Sequence, residues 1–492
     1  MKNMNNFNIQ KRKAKGLLLI IILSTIISCT KNYDEINTDP NGVTEVATPY
    51  LLTSALQKLI TINSSLSYNK TMMMWAQLWT QRETTNRCRY DLSVESDWRN
   101  FYSYGLPDLN SIITFNSGEN KEKYATYGDN NNQIAVAMIM KVWAFSLMTD
   151  TWGNIPYSEA FNPEINYPKY DSQSEIYPDL IKKLKEAVQL IDVSKPGFTS
   201  GDLMYNGDMT KWKKFANSLR ARIALRLSNI NPQLANSELN DALNGEVFTS
   251  NEDNALINFQ VEETYANPLY LESIVQNWTF PTELLINRMK TLNDPRLPII
   301  ADQNSFNQYV GLPYGLGDDQ STGDWSEDTL SRLGAATREP DFPSILMTYS
   351  ELLFIKAEAA QRSWISGNAG DLYNQAITAN LEFWGIDPTA ISNYLSEPDV
   401  IYNSSNWVAQ LGEQKWLSFY MQGAQAYFEW RRLQSPNLVI PTYAPLFNNV
   451  TEMPRRFFYP VAEQSLNGAQ LEKAINDMGG NTLMTRTWID PL

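Results

Sequence analysis

The chain of 492 residues contains no histidine and only two cysteines. The first absence removes a Ser-His-Asp or Cys-His catalytic site, because both need imidazole to carry the proton. It also removes imidazole ligation of zinc, and two thiols cannot build a zinc cage. Acid–base chemistry, if any, must come from Asp, Glu, Lys or Tyr. Basic residues are scarce as well: 40 Lys+Arg stand against 54 Asp+Glu, a net charge of −14. Such a surface disfavours nucleic acid and anionic headgroups. Charged residues make up 19% and hydrophobic ones 43%, the balance of a globular chain rather than a disordered one. What is plentiful is aromatic, with 14 Trp and 25 Tyr. Those rings serve cores, and equally the flat faces of sugars or extended peptides.

The amino-terminal segment reads as a targeting signal. Lys2, Lys11, Arg12, Lys13 and Lys15 precede an apolar run from Leu17 to Ile27, too short to span a bilayer. The run ends in Ser28-Cys29, a small residue before a cysteine, which reads as a bacterial lipoprotein box. Cleavage there would free the amine and thiol of Cys29 for acylation; a short anchor and an ordinary signal peptide are the alternatives. Ile26 stands three residues before the cysteine, where leucine is commoner. Loss of residues 1–28 leaves 35 basic against 54 acidic residues, a net charge of −19. With Cys29 lipidated, Cys88 has no partner for an intrachain disulfide and is expected as a shielded thiol. Residues 29–46 read as a polar tether with Asp39-Pro40 and Asn41-Gly42 turn signals, and 47–492 as a single domain. No later apolar run is expected to reach membrane length, so the body is expected to be anchored by acyl chains.

Apolar spacing predicts helices over 50–62, 70–82, 97–115, 133–149, 174–192, 210–230, 233–243, 282–292, 347–366, 371–384, 405–433 and 462–478. The run 133–149 is apolar nearly all round and is expected at the centre of the core. In 347–384, Ala357, Ala359 and Ala360 are small and Gly367 supplies a stop between two helical runs. That describes a helical hairpin of the tetratricopeptide type, although a plain hairpin meets the same pattern. Runs 133–149 with 174–192, and 210–230 with 233–243, repeat the pairing at uneven spacing. Residues 245–345 are rich in Pro, Gly, Asn and Asp, with a long loop at 311–330, and 437–460 is extended. The expected fold is mainly α, a helical scaffold with one loop-rich face.

Six motifs follow one another along nearly the whole chain. They are the box at Cys29 with YDEINTDPNG, DTWGNIPYSEAF at 150–161, NDPRLP at 293–298, MTYSELLFIKAEA at 347–359, GEQKWLSFYMQGAQAYFEWRRLQSPNL at 412–438 and PRRFFYPVAEQSLN at 454–467. In them the chain resembles the SusD/RagB family of Bacteroidetes outer-membrane nutrient-binding lipoproteins, closest to its SusD-like subgroup. The resemblance implies four irregular tetratricopeptide-like helix pairs forming a right-handed superhelical scaffold, with a loop-rich ligand face. It implies a non-catalytic cell-surface lipoprotein that lies over a SusC-like TonB-dependent transporter, its helix pairs against the transporter. The ligand would be an oligosaccharide, or in some members a peptide. One departure bears on outward orientation: the acidic export signal after the lipid cysteine is reduced to Asp34-Glu35.

Most charged motif residues have structural readings. Arg220, Arg222 and Arg226 need carboxylates, and Glu351 and Glu358 are available. Glu429 is expected to pair with Arg432 or Arg431, Arg455 and Arg456 to find carboxylates, and Arg296 to clamp a turn capped by Asp294. Ligand capture needs aromatic faces for sugar CH groups and polar side chains for hydroxyls. The candidates are Trp79, Arg82, Tyr90 and Trp98, then Trp278, Tyr314, Asp318 and Trp325, two regions from which the resemblance implies a site. Trp325, in a polar loop without local apolar partners, leads them. No catalytic residue, cofactor or metal ligand is assigned. Carboxylates at 318, 319, 324, 327 and 328 suggest Ca2+, but the glycine and glutamate positions of an EF-hand loop are missing, and a solvated acidic loop is the plainer reading. A glycoside hydrolase would need two carboxylates about 5–9.5 Å apart in an aromatic cleft, and no pair is marked out. A pure protein-holding scaffold is the third reading.

Overall fold

Pro49, in the first helical turn where its missing N–H costs nothing, starts helix α1 (Thr48–Asn63). The computed structural model describes residues 46–93 and 95–490. The leader, Cys29 and the tether through Glu45 lie outside the described residues. Helix α2 (Asn69–Trp75) is followed by strand β1 (Trp79–Gln81). The single helix expected over 70–82 therefore stops early. Gln77 turns the chain at φ 53, and residues 79–81 go extended to pair with a strand distant in sequence. The helix expected over 97–115 is likewise two, α3 (Glu95–Ser103) and α4 (Leu106–Ser117), broken at Gly105. Gly105 has φ 80, and a Cβ there would lie 2.9 Å from Leu59 Cγ. Asp97 thus sits inside α3 and is not a cap.

Helix α5 (Asn130–Trp152) is capped by Asp129, whose carboxylate accepts the N–H groups of Asn131 and Asn132. It is long and apolar enough to cross a membrane, yet 83% of its most apolar window is buried inside the protein. It is the core helix that its uniform composition implies. Strands β2 (Ile155–Pro156) and β3 (Tyr170–Asp171) pair beyond it, and α6 (Gln173–Leu190) opens on a Ser172–Glu175 capping box. Then come α7 (Met209–Arg226), α8 (Pro232–Leu243), β4 (Ala255–Ile257), β5 (Thr279–Pro281), α9 (Glu283–Thr291) and β6 (Ser344–Met347). The carboxyl-terminal half adds α10 (Tyr349–Gln361), α11 (Ala369–Phe383), α12 (Trp407–Ser418), α13 (Gly423–Leu433) and α14 (Gly468–Met478). Among the described residues the strands form three two-stranded antiparallel sheets, and the fold is mainly α.

Helices α5 and α6, α7 and α8, α10 and α11, and α12 and α13 pack as four pairs. The last pair replaces the single helix expected over 405–433. Met421 takes φ 72, and a Cβ on Gly423 would come within 2.5 Å of the Asn69 carbonyl oxygen, so α13 can approach α2 only through glycine. Gly367 does not stop α10, which ends well before it; Ser363 (φ 59) makes the left-handed turn instead. Residues from Ala47 onward form one compact unit. Its core is dense in aromatics: Trp75 meets Tyr90, Tyr427 and Phe457 edge-on at 4.9–6.1 Å. Cys88 is a buried free thiol, pushed up to about 11 by burial.

The arginines of α7 find carboxylates. Arg220 reaches Asp241, Arg222 grips Glu351 at 2.5 and 2.6 Å, and Arg226 reaches Asp150. Arg432 holds Glu358 through two bonds of 2.5 and 2.6 Å and Glu429 at 2.7 Å. Lys415 bonds Glu429 at 2.8 Å, and Arg226 lies 3.5 Å from it. Asp294 clamps Arg296 at 2.6 Å in a wholly buried pair. Two expectations fail. Arg431 donates to the carbonyls of Arg455 and Asp150, and Arg456 donates to the Phe457 carbonyl and lies 4.2 Å over the Tyr459 ring. Carbonyls and a ring face take these forks in place of a carboxylate, and Arg431 Nε and Arg456 Nη2 are left without a hydrogen-bond partner.

Burial opposes ionisation of Glu358, but Arg432, Lys415 and Arg362 outweigh it and hold the carboxyl down at about 2. A depressed carboxyl contributes stability that is fully present above its unfolded value and is lost as pH falls through its folded one. Glu358 should therefore stabilise the fold fully above about pH 4.5 and release that contribution as pH drops toward about 2. Glu358→Gln leaves Arg432 partly uncompensated and should cost about 3–5 kcal/mol at pH 7, read from urea unfolding. An unchanged midpoint would mean that the network carries no stability.

Candidate ligand-binding face

Strand β1 pairs with β5 in the register Trp79–Pro281, Thr80–Phe280 and Gln81–Thr279. The pairing continues past the strands: Arg82 N–H donates to the Trp278 carbonyl at 3.0 Å, and Thr282 N–H to Leu78 at 3.2 Å. Loop 311–330 joins the same edge, with the Leu312 N–H on the Pro281 carbonyl and the Glu283 N–H on the Leu312 carbonyl, each at 3.0 Å. A short helix at Asp318–Gly323 and Trp325 follow within this loop.

The loop is fastened to residues 82–85. Asp318 accepts the Thr85 N–H at 2.7 Å, the Ser321 hydroxyl donates to the Arg82 carbonyl, and Arg82 Nε donates to the Trp325 carbonyl at 2.8 Å. The Arg82 fork also meets Glu83 at 2.9 Å and Glu327 at 3.6 Å. Arg82 thus joins the main chains of two half-buried tryptophans, Trp278 and Trp325. Trp325 is not without apolar partners. It packs on a small second cluster of Phe280, Leu312, Leu316 and Leu330, contributed by β5 and by its own loop.

Of the eight residues singled out, Arg82, Trp278, Asp318 and Trp325 are brought together. Trp79 and Tyr90 lie in the core, 1% and 0% exposed. Trp79 meets Tyr420 edge-on at 6.1 Å, and the Tyr90 hydroxyl donates to the Met453 sulfur at 3.3 Å. Tyr314 is half-buried, and burial beside Tyr90 drives its phenol well up. These three rings brace the face rather than offer platforms on it. Trp98 lies apart, stacked on Tyr170 and edge-on to Trp152 at 5.3 Å, where it floors a separate cavity of about 380 Å³ with Tyr102 and Pro460. Tryptophan and tyrosine look alike in sequence whether they pack or stack.

Sequence reasoning also missed a polar cleft of about 430 Å³ whose lining includes Ser67, Thr71, Gln81, Thr84, Asn86 and Arg87. Its hydroxyls, amides and guanidinium suit a polyhydroxylated ligand, and Gln81 and Thr84 flank Arg82 in the chain. No spacing in the sequence announces it, because α2, β1 and the following turn each contribute only a few residues. The buried Gln81 Oε1 has no protein partner. Behind this wall, Lys70 pairs with Glu272, which also accepts the Thr279 hydroxyl at 3.1 Å. Burial lowers the Lys70 ammonium. Asp97 accepts a 2.5 Å bond from the Ser67 hydroxyl, and burial pushes its carboxyl up to about 6. Among the described residues no three His, Cys, Asp or Glu side chains converge as a metal cage. A larger groove of about 860 Å³ lies between α1 and residues 252–271.

A sequence profile described as "Starch-binding associating with outer membrane" matches residues 40–460. The chain belongs to this SusD-like family. A solved chitin-binding protein is 28% identical, with a TM-score of 0.78 over 90% of this chain and 99% of its own. A SusD homologue from Bacteroides uniformis is 24% identical, with a TM-score of 0.77 over 90% of this chain and 100% of its own. A chitin-binding SusD homologue from Flavobacterium johnsoniae is 23% identical, with a TM-score of 0.76 over 89% and 98%. A comparison with proteins of curated function returns no match. The mainly α scaffold is thus the SusD-like one, and the family is one of nutrient binding at the outer membrane.

The raised Asp97 carboxyl has a measurable signature. Its folded value lies above the ordinary 3.8, so the stability it contributes is full below about pH 3.8 and is lost as pH rises through about 6. Asp97→Asn should remove that loss, amounting to about 3 kcal/mol between pH 3.5 and 7. Urea unfolding of both proteins across this range checks it; parallel curves would show that Asp97 titrates normally.

Proposed function

We propose that this SusD-like protein is a non-catalytic capture protein for a neutral oligosaccharide, bound across the face made by Trp278, Trp325, Arg82 and the adjoining polar cleft. The observation that carries the reading is the joining of two half-exposed tryptophans through Arg82, beside a cleft of hydroxyls and amides. Ring faces take the CH surfaces of a sugar, and the cleft takes its hydroxyls. The charge of the loop favours a neutral ligand. Asp318, Asp319, Asp324 and Asp328 are exposed around Trp325, and an anionic glycan would meet them. Capture here needs no cofactor. The protein is held to the outer membrane by acyl chains on Cys29, faces outward, and hands its ligand to a SusC-like TonB-dependent transporter.

Chito-oligosaccharides and malto-oligosaccharides are the first ligands to try, because solved relatives are named for chitin and the family for starch. Calorimetry should give saturable binding without product release. Trp325→Ala and Trp278→Ala should each weaken it about tenfold, the loss of one stacking contact. Released product would instead support a carboxylate-based hydrolase, and binding of peptides alone a peptide carrier. The larger groove deserves its own control because Tyr265 is 52% exposed there and the side chains of Gln57, Asn258 and Gln260 line it. If Tyr265→Ala abolishes binding and Trp325→Ala does not, the ligand lies in that groove.

A further inference from the structure

Lys141 lies on the inner half of α5, where a lysine ordinarily finds a carboxylate or reaches water. It does neither fully. Its Nζ donates to Asn110 Oδ1 at 2.8 Å and lies 5.3 Å from the centre of the Phe161 ring. It forms no ion pair among the described residues, and the charge that acts on it is the repulsive one of Lys183. Burial and that repulsion bring its ammonium down to about 8. Lys183 is itself poorly neutralised, because its partner Glu186, at 3.2 Å, is shared with Lys182. In a chain with this excess of acidic residues, the pair is a local positive island.

Both lysines line a cavity of about 430 Å³ between α4, α5 and α6. That volume is within the usual range of small-molecule pockets. One wall is apolar, made by Ile113, Met138, Val142 and Phe145. Several of the other polar groups are engaged. Tyr157 donates to Asp179 at 2.7 Å, and Ser158 gives both its N–H and its hydroxyl to Asp171. Two ammonium groups, Lys141 and Lys183, stand against the single carboxylate of Asp179 in the lining, which leaves it net positive beside the hydrocarbon wall. None of these residues belongs to the tryptophan face or its cleft.

We propose that this cavity is a second binding site, for a small amphiphilic monocarboxylate, with Lys141 as its anion-binding group. The carboxylate offsets the repulsion between Lys141 and Lys183, and the hydrocarbon body covers the apolar wall. An inorganic anion satisfies only the first requirement and a neutral lipid only the second. Because the anion favours the charged amine, binding at pH 8 takes up protons, whereas binding at pH 6, with Lys141 already protonated, does not. Facing groups on the surrounding elements are Lys183 and Asp179 of α6 and Tyr157 beyond β2; Asp179 is occupied by Tyr157.

The test is calorimetry of the full chain with octanoate, with octanamide and inorganic phosphate as controls. Octanoate should saturate, and both controls should bind at least about tenfold more weakly. At pH 8 the heat should vary with the ionisation enthalpy of the buffer. Lys141→Met keeps the apolar stem and should weaken octanoate at least about tenfold. Lys183→Gln, at a half-exposed position that tolerates change, should weaken it severalfold. Oligosaccharide binding should survive both substitutions. Absence of saturation, equal binding of octanamide, or indifference to both substitutions would overturn the proposal.

Discussion

Three carboxylates and three cations meet inside this protein, and the helix pairs hold their relative positions because they do. Asp150 comes from α5, Arg226 from α7, Glu358 from α10, Lys415 from α12, and Glu429 and Arg432 from α13. Their charges cancel, and all six side chains are nearly or wholly buried. Apolar packing alone tolerates sliding by one turn, but a buried charge that loses its partner is penalised heavily. Five helices, drawn from all four pairs, share one cluster. The register between pairs is therefore fixed by electrostatics as much as by shape. Glu358 lies in the small-residue run Ala357–Ala360, where close helix approach brings Arg432 into bidentate reach.

On that base the candidate ligand face is assembled from two short strands and a loop that carries one short helix. β1 leaves α2 at Gln77, pairs with β5, and carries Arg82 to the place where loop 311–330 returns. The rings beneath, Trp79, Tyr90 and Tyr314, are rigid filler that ties this edge to the core. The face keeps its two tryptophans half-covered, and its floor rests on elements the charge cluster positions. The candidate face thus rests on the helical scaffold for its position.

Features set by local periodicity were legible in the chain. Pro49, the uniformly apolar 133–149 run and the amphipathic 174–192 run gave helices near their expected places. So did the arginines of α7, whose demand for carboxylates is a matter of cost and not of topology. The misreadings share one cause. The breaks at Gln77, Gly105 and Met421 are imposed by tertiary contacts, and period alone runs straight through them. Of the candidate face, loop position points to Trp278, Asp318 and Trp325, and nothing in the sequence marks Arg82 as the fastening between them. Residue type could not separate Trp79 and Tyr90 from a stacking platform. Nor could it find a cleft whose hydroxyls and amides come from three separate turns.

The fastening of Asp318, Ser321 and Trp325 onto residues 82–85 ties the capture face to the order in which the chain is made. Its two halves are separated by more than two hundred positions, so joining them closes a long loop. A chain emerging from its amino terminus owns half of its ligand face long before it owns the other half. Until residues 318–325 are in place, the Arg82 side chain lacks the Trp325 carbonyl and the Thr85 N–H lacks the Asp318 carboxylate. Completion of this face is therefore a late event in the synthesis of each chain. A chain that stops short of residue 318 lacks one half of this fastening altogether.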